Sequence, residues 1–394
     1  MNDISAVVTA ITGAEHVRAA DHAVAVAAGS SEEVAGILRV ANENRWAVAG
    51  FGGGTKQNWG YAVKPTLILE MHRLNQLREH TWQDMTCTVE AGCTWSVMQS
   101  GLAQHRQHVA LDPLWPERAT VGGIVATNDS GVLRLRYGGL RDLIIGMTIV
   151  LADGTIAHTG GKVVKNVAGY DLHKLMIGAF GTLGLVTSVN FRLHALPQCV
   201  SSFSVPANAA EPLGKMMLKL LHAQLCTVAI QLRGTRQGFS LDVQLSSLQE
   251  VVETQAVALR KLAECEGLST EAAAEEVWKA RQGLMENDFV CKGTMLPSQV
   301  ARFAERVRAA GGESVTQATG IMYAGFPAAG VGSLPQLRSE VEIARGSLMV
   351  LQQPPEAKID TWGTPPDSLP LMREIKRRFD PEGILNPGRF LGRI

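Results

Sequence analysis

Hydrophobic and polar positions in the first quarter of the chain switch repeatedly between strand and helix periods. Residues 23–27 form a short apolar run typical of a strand. Ser30 and Glu33 stand three residues apart, as in a capping box, ahead of apolar residues at helical spacing up to Ala41. Further strands are predicted at 46–49, 67–69 and 88–91, and a helix over 94–106. The pattern therefore predicts a β–α–β start.

The stretch from 111 to 193 is rich in glycine and predicts short strands. Apolar residues 143–151 end in Asp153-Gly154, a pair that favours a tight hairpin with the residues from 156 onward. Residues 185–193 alternate between apolar and polar side chains, the period of a half-buried strand. Pro197 follows this strand, and we expect a domain boundary there.

The pattern changes again after that proline, and it predicts an α+β protein of three parts. Strands at 228–232 and 239–245 alternate with longer helices at 248–265 and 297–310, and a last helix is predicted over 368–378. We expect a cofactor-binding domain at 1–196, a cap domain at 197–360 and a C-terminal segment at 361–394.

Composition and charge exclude several functional classes. The 394 residues include 37 basic and 37 acidic side chains, and this balance argues against a nucleic-acid-binding protein. No apolar run is long enough for a spanning helix, and the first residues lack the features of a signal peptide. The six cysteines form no CxxC pair, so their spacing predicts neither an iron–sulfur cluster nor a structural zinc. We expect a cytoplasmic protein.

A glycine loop at residues 50–56, with the sequence GFGGGTK, carries the first chemical signal. Consecutive glycines after a strand let the backbone approach an anion closely, although an isolated loop of this kind is as often a simple turn. The order Gly54-Thr55-Lys56 excludes a Walker A loop, which needs Lys before Thr or Ser. Thr55 stands where a dinucleotide-binding fingerprint needs a third glycine, which weakens that interpretation.

Three glycine-rich segments in this order and spacing resemble the FAD-binding domain of the vanillyl-alcohol-oxidase family, also called the p-cresol methylhydroxylase type. They are the loop at 50–56, the segment 112–138 with ATVGGIVATN, and the segment 165–187 with KNVAGYDL and GTLGLVT. The tail FDPEGILNPGR at 379–389 resembles the C-terminal segment by which members of that family return to the flavin. The resemblance implies a two-part FAD-binding domain with an α+β cap.

That resemblance also implies the residues that hold the cofactor. In the family the glycine loop binds the FAD diphosphate, the ATxGG segment contacts flavin and diphosphate, Pro113 borders the isoalloxazine ring, and the backbone of Val186 meets the adenine. The residues implied are Gly52, Gly53, Gly54, Thr55, Lys56, Pro113, Thr120, Gly122, Gly123, Thr127, Asn128, Gly131, Tyr137, Gly184, Val186 and Asn386. Residues 50–60 contain no histidine or cysteine, so we expect FAD to be bound non-covalently.

Residues 162–185 resemble more closely the FAD-binding E subunits of bacterial glycolate oxidases, in which an apolar pair such as Ala179-Phe180 precedes Gly-Thr-Leu-Gly. This resemblance implies a catalytic FAD-containing paralogue and an iron–sulfur subunit as partners, a small 2-hydroxy acid as substrate, and peripheral contact with the membrane through those partners. Two alternatives stay open: a stand-alone FAD-dependent oxidase or dehydrogenase of another alcohol or 2-hydroxy acid, and a non-catalytic FAD-containing scaffold.

Catalytic residues are not assigned by the sequence, and no metal site is predicted. His222 is the last histidine, whereas catalytic 2-hydroxy-acid dehydrogenases of the family carry a histidine-rich site beyond that point. We therefore expect that the isolated chain needs no divalent metal and oxidises glycolate poorly.

Two further groups of residues receive an ordinary structural interpretation. His105 and His108 are spaced three apart on the predicted helix 94–106 and its end, where we expect a solvated helix terminus. Four cations could bind a substrate carboxylate, but each is expected at the protein surface: Arg233, Arg281, Lys292 and Arg373.

Overall fold

A computed structural model describes residues 2–161 and 170–394 of the chain. Residues 162–169, which open the segment that resembles glycolate oxidase subunits, lie outside the described residues. The chain divides into two compact units. The first comprises Met1–Ser130, Gly139–Leu196 and Pro365–Ile394, and the second comprises Gly131–Gly138 and Pro197–Thr364.

The strands of the described residues are short at first and longer after residue 184. They are β1 Val17–Ala20, β2 Ala23–Ala27, β3 Val48–Phe51, β4 Leu67–Glu70, β5 Leu77–Thr81, β6 Thr86–Glu90, β7 Gln107–His108, β8 Ile144–Val150, β9 Ile156–Gly160, β10 Leu185–Arg192, β11 His194–Ala195, β12 Cys199–Ala207, β13 Thr227–Gly234, β14 Phe239–Ser247, β15 Glu271–Ala272, β16 Phe289–Thr294, β17 Glu313–Gln317, β18 Ile321–Phe326 and β19 Ser347–Gln352.

The α-helices are longest in the second unit. They are α1 Asn2–Thr12, α2 Ser31–Glu43, α3 Trp95–Ala103, α4 Val121–Thr127, α5 Arg134–Tyr137, α6 Leu140–Leu143, α7 His173–Met176, α8 Ala210–His222, α9 Gln249–Cys265, α10 Ala280–Gly283, α11 Val300–Ala309, α12 Leu334–Ile343 and α13 Leu369–Phe379. No helix of the described residues combines the length and the apolar character needed to cross a bilayer.

Two larger sheets with separate cores and a two-stranded sheet, β11-β7, build the described part of the first unit. The four-stranded sheet has the order β1-β2-β4-β3, with β2, β4 and β3 parallel, and α2 and α1 contribute to its core. The five-stranded sheet is antiparallel in the order β5-β6-β10-β8-β9, and α3 and α4 pack into its core. The mixture of parallel and antiparallel sheets with separate helices confirms the predicted α+β class.

The C-terminal segment belongs to the first unit and extends its parallel sheet. Leu385 forms a parallel bridge with Val48, and the Val48 amide donates to the Ile384 carbonyl at 2.8 Å. The turn before this bridge is organised by Asp380, a fully buried carboxylate that accepts from the Ile384 and Leu385 amides and from Lys376 Nζ at 2.5 Å. The predicted return of the C-terminal segment to the FAD-binding domain is therefore confirmed.

An eight-stranded antiparallel sheet forms the second unit, in the order β15-β12-β14-β13-β17-β18-β16-β19. Its first face packs against α8, α9, α11 and α12 around a large apolar core. The second face carries polar side chains from β12, β13 and β14, and the segment with α5 packs against β13.

Most predicted elements are confirmed, with shifted ends. The buried residues of β10 alternate as the sequence predicts, and Ser30 caps α2 by accepting from the Glu33 amide. Glu33 binds the Gly29 amide at 2.7 Å rather than that of Ser30, so the predicted capping box is displaced by one residue.

One helix prediction is wrong at its end. Helix α3 ends at Ala103, and His108 lies in β7, where it pairs with His194 of β11. This pairing joins residues 86 positions apart, 194 minus 108, which local spacing does not reveal. His105, two residues beyond the end of α3, is exposed as predicted, and its ring stacks on that of Trp82 with the ring centroids 5.1 Å apart.

Candidate cofactor site

The predicted cofactor residues meet at one cavity of the first unit. The space between its walls is about 800 Å³, open solvent included. Twelve of the sixteen predicted residues line it: Gly52, Gly53, Gly54, Thr55, Lys56, Thr120, Gly122, Gly123, Thr127, Gly184, Val186 and Asn386. Glycine-rich segments that are far apart in the sequence therefore contribute to a single site.

The glycine loop packs directly on the segment before α4. A Cβ built on Gly53 would lie 1.8 Å from the Arg118 carbonyl oxygen, and one built on Gly52 would lie 2.2 Å from Thr120 Oγ1. Side chains at these two positions would overlap atoms of the protein itself. Glycine is therefore required here by the contact between two cofactor segments, whatever the loop binds.

Lys56 forms an internal ion pair at the end of this loop. Its side chain is 4% exposed, and Nζ lies 3.2 Å from Oδ2 of the fully buried Asp129. The ammonium also lies 5.8 Å from the Trp59 ring centroid and 5.4 Å from that of Trp115. The Lys56 charge is thus balanced within the protein, whereas the sequence resemblance implied that it serves the cofactor diphosphate.

Helix α4 presents a glycine surface to the cavity. The amides of its first turn are occupied by the protein: Val121 donates to Cys93, Gly122 donates to Ala91, and Gly123 donates to Thr120 Oγ1. Helix α4 therefore contributes to the site through its glycines, which let a ligand come close to the helix backbone. Gly123 offers the most room, because a Cβ there would meet only Thr120 Oγ1, at 3.3 Å.

The C-terminal segment closes another part of the cavity wall. Asn386 has a φ of +42°, and its Nδ2 donates to the Gly181 carbonyl at 3.1 Å. Arg389, which is 6% exposed, donates to the carbonyls of Lys56 and Trp59. Burial lowers the pKa of the Arg389 guanidinium to about 10, so that it stays protonated at neutral pH.

Several residues of the cavity wall were not predicted. Apolar surface comes from Phe51, Met71, Met176, Phe180 and Leu185, and Gln57 and Arg389 add polar groups. Phe180 has a φ of +54°. Residues other than glycine rarely adopt this backbone conformation, and such residues often occur at functional sites. Arg389 lies within the C-terminal tail that resembles the family, so the sequence already indicated that this arginine could reach the cofactor site.

Four predicted residues do not line the cavity. Pro113 lies in the loop before α4, and Asn128 ends α4 with a φ of +47°. Gly131 and Tyr137 belong to the second unit, where Tyr137 packs against Val228 and Ala229. Contact of these two residues with the cofactor, which the family resemblance implies, stays a prediction.

The described cavity wall suits a dinucleotide with an aromatic ring system. Glycines allow close backbone approach, Arg389 supplies positive charge, and methionine and phenylalanine side chains offer a surface for a flat ring. Neither histidine nor cysteine is among the described lining residues. Within the described part of the chain, no group of three or more histidine, cysteine or acidic residues has the arrangement of a metal site.

Cations of the second unit are more deeply placed than the sequence predicted. Arg281 is 7% exposed, and its guanidinium carbon lies 5.1 Å from the ring centroid of the fully buried Tyr323. Lys292 lies opposite Tyr323 on the neighbouring strand, with Nζ 5.8 Å from the same ring. The surface prediction is wrong for Arg281, which is buried, whereas Lys292 is half-buried with its ammonium near the same ring.

The other two predicted surface cations differ from each other. Arg233 forms a bidentate pair with the fully buried Asp242, at 2.5 and 2.9 Å, so its surface assignment is also wrong. Asp242 additionally accepts from Ser204 and Gln231, which makes it the centre of a buried polar network. Arg373 is exposed, as expected.

Comparison with known protein families supports the cofactor assignment. Residues 22–160 match the family model of the FAD binding domain, and residues 362–390 match that of the FAD linked oxidases, C-terminal domain. Both matched segments contain residues of the cavity, so the sequence families and the geometry agree on one site.

Known relatives extend this agreement along the chain. A D-lactate dehydrogenase of Archaeoglobus fulgidus is 26% identical over 96% of this chain and 93% of its own length. The glycolate oxidase subunit GlcD of Bacillus subtilis is 35% identical over 44% of this chain, and the match spans only 37% of that relative. The structure of p-cresol methylhydroxylase with substrate bound has a TM-score of 0.76 at 17% identity, covering 98% of this chain and 96% of that one, and it shows the shared fold.

Proposed function

We propose that this chain, an FAD-dependent oxidoreductase of the FAD-linked oxidase type, is the FAD-binding subunit of a glycolate oxidase-like complex that oxidises small 2-hydroxy acids. The names of two relatives support the substrate class, because lactate and glycolate both carry a hydroxyl group beside a carboxylate. The partners in this proposal are a catalytic FAD-containing paralogue and an iron–sulfur subunit.

The observation that carries the substrate class is the pair of cations on Tyr323. Two cations within about 6 Å of one ring centroid concentrate positive charge at one place in the second unit. A small carboxylate could accept charged hydrogen bonds from both side chains, worth roughly 1.5–3 kcal/mol each. We therefore assign carboxylate recognition to these two side chains.

The proposed need for a partner follows from the chemistry of alcohol oxidation. Bound FAD supplies the two-electron acceptor for that oxidation. The alcohol must also lose its hydroxyl proton, to a base or with the help of a Lewis-acid metal, and histidine is the commonest side chain for either role. No histidine follows His222, which supports a base or metal supplied by the partner.

Electron transfer also favours a partner in this proposal. The six cysteines contain no CxxC pair, and iron–sulfur clusters are held by cysteine thiolates at such spacings. An iron–sulfur subunit would receive the electrons that this chain takes from the substrate. The substrate would then reduce the FAD of this chain, and the iron–sulfur subunit would reoxidise it.

Calorimetric titration with glycolate and with D-lactate tests the carboxylate assignment on the FAD-loaded protein. We expect Arg281→Met and Lys292→Met each to weaken binding at least tenfold, because each removes a charged hydrogen bond worth more than 1.4 kcal/mol. Lys279→Met removes an exposed cation of the same segment and serves as the matched control. Unchanged affinity for glycolate and D-lactate in both the Arg281 and the Lys292 variant would contradict the assignment.

A stand-alone 2-hydroxy-acid dehydrogenase is the second candidate. The full-length match to the D-lactate dehydrogenase of Archaeoglobus fulgidus favours it, since that alignment leaves little of either chain unmatched. Steady-state turnover of the isolated chain with glycolate and D-lactate separates the two candidates. A non-catalytic scaffold would bind FAD and show no turnover alone, and its own flavin would stay oxidised while the catalytic paralogue in the complex turns over.

A further inference from the structure

The Arg389 side chain holds the end of the glycine loop from a position 333 residues further along the chain. Its Nη2 donates to the carbonyls of Lys56 and Gln57 at 3.1 and 3.2 Å, and its Nε donates to the Trp59 carbonyl at 3.3 Å. Its Nη1 donates to Gln57 Oε1 at 3.1 Å and to Asn386 Oδ1 at 3.4 Å. All three nitrogens of the guanidinium thus act as donors, which lysine could not reproduce.

These contacts order the backbone that forms the cavity wall. In a trans peptide the carbonyl and the following amide point in opposite directions, so binding the Lys56 and Gln57 carbonyls directs the next amides away from Arg389. Thr55, Lys56 and Gln57 all line the cavity. The shape of this part of the wall therefore depends on the hydrogen bonds that the Arg389 guanidinium donates.

Charge gives Arg389 a second role at the same place. The Lys56 ammonium, on the same part of the cavity wall, faces the Asp129 carboxylate. Arg389 itself lines the cavity and is almost wholly buried. A buried, oriented guanidinium interacts with phosphate oxygens more strongly than an exposed cation does, because water screens it less.

We propose that Arg389 is a positioning residue for the FAD diphosphate: it fixes the 56–59 backbone and adds positive charge to that part of the cavity. The proposal concerns the cofactor and is independent of the substrate and of the partner subunits. It predicts that the loss of Arg389 weakens binding of diphosphate-containing ligands and leaves adenosine binding nearly unchanged.

Titrations of the full-length apoprotein with FAD, ADP and adenosine test this proposal. We expect Arg389→Met to raise the Kd for FAD and ADP at least tenfold, with adenosine within twofold of the wild type. Arg389→Lys keeps the charge but loses the several hydrogen bonds of the guanidinium, so its affinities for FAD and ADP should lie between those of Arg389→Met and the wild type. Arg373→Met is the control, because Arg373 is an exposed cation of the same C-terminal segment. Equal weakening of ADP and adenosine binding would indicate a purely structural role and overturn the proposal.

Hydrogen exchange of the wild-type chain provides a test that does not depend on the folding of a variant. ADP should slow exchange of the amides at 56–61 and 386–390, whereas adenosine at equal occupancy should not. The same protection by both ligands would contradict a role directed at the diphosphate. Titration of the wild type with glycolate is unaffected by either result, which keeps this proposal separable from the proposed function.

Discussion

Substitution of Gly123 by alanine should separate protein stability from cofactor binding. Gly123 lines the cavity, and an added Cβ would have one neighbour within 4 Å, the Thr120 hydroxyl at 3.3 Å. A hydroxyl can move by a few tenths of an ångström, so the fold should accept the methyl group. Reduced freedom of the unfolded chain should even raise the stability of the apoprotein, by about 0.4–1 kcal/mol.

The same methyl group should oppose FAD, because it occupies space in the cavity. Inserting a methyl group into a well-packed site costs about 1–3 kcal/mol, which corresponds to a roughly 5- to 150-fold rise in the Kd for FAD. Apoprotein stability and FAD affinity would then change in opposite directions. Few structural defects produce that combination.

Thermal unfolding of the apoprotein and FAD titration by quenching of flavin fluorescence measure the two effects. Gly283→Ala is the matched control, since a Cβ there meets no atom within 4 Å and the residue is exposed in the second unit. Gly53 is unsuitable, because its side chain would overlap the Arg118 carbonyl with or without FAD. An FAD affinity within twofold of the wild type, at unchanged or raised stability, would refute the placement of FAD beside Gly123.

Three other expectations follow from the structure. Acid or heat should release FAD into solution, because the described cavity wall contains no histidine or cysteine; flavin that stays with the denatured polypeptide would contradict non-covalent binding. Lys56→Met should destabilise the protein by about 3–5 kcal/mol in urea unfolding, because Asp129 would be left buried without its ammonium, and a loss below 1 kcal/mol would argue against the pair. Burial lowers the pKa of His108 to about 4, below the unfolded value of about 6.5, so its stabilising contribution is present above pH 6.5 and lost as the pH falls towards 4. The urea midpoint of His108→Gln should therefore fall less between pH 7 and pH 5 than that of the wild type or of the exposed control His72→Gln, and equal falls would contradict this assignment.

Local patterns were sufficient to predict much of the fold. The alternation along β10 and the cap of α2 depend on neighbours within a few residues, so sequence periods and capping residues reveal them. The end of α3 was misplaced because β7 forms only by pairing with the distant β11. Strand ends of this kind depend on tertiary contacts, which outweigh local propensity.

The cofactor site was predictable as a set of glycines but not as a set of charges. The GGG loop and the ATVGG segment both reach one cavity, as their resemblance to the family implied. The partner of Lys56 lies 73 residues away, 129 minus 56, and the loop carbonyls bind Arg389 from the other end of the chain. Such long-range pairs have no spacing rule, so only the folded structure identifies them.

Burial of charged residues in the second unit was also beyond sequence reasoning. Arg281 and Lys292 look like ordinary surface cations in the sequence, and the tyrosine between them is separated from each by at least 31 residues, 323 minus 292. The sheet brings Lys292 and Tyr323 together by strand pairing. A helix of the same unit then adds Arg281.

Anaerobic reduction of the flavin by glycolate tests the central claim most directly. The FAD-loaded chain is compared with the complex isolated from the native cell, each with and without EDTA. The proposed function predicts fast bleaching of the flavin in the complex and slow or no bleaching in the isolated chain, which EDTA leaves unchanged. Rapid reduction of the isolated chain, abolished by EDTA and restored by zinc or manganese, would instead identify a self-sufficient metal-dependent dehydrogenase.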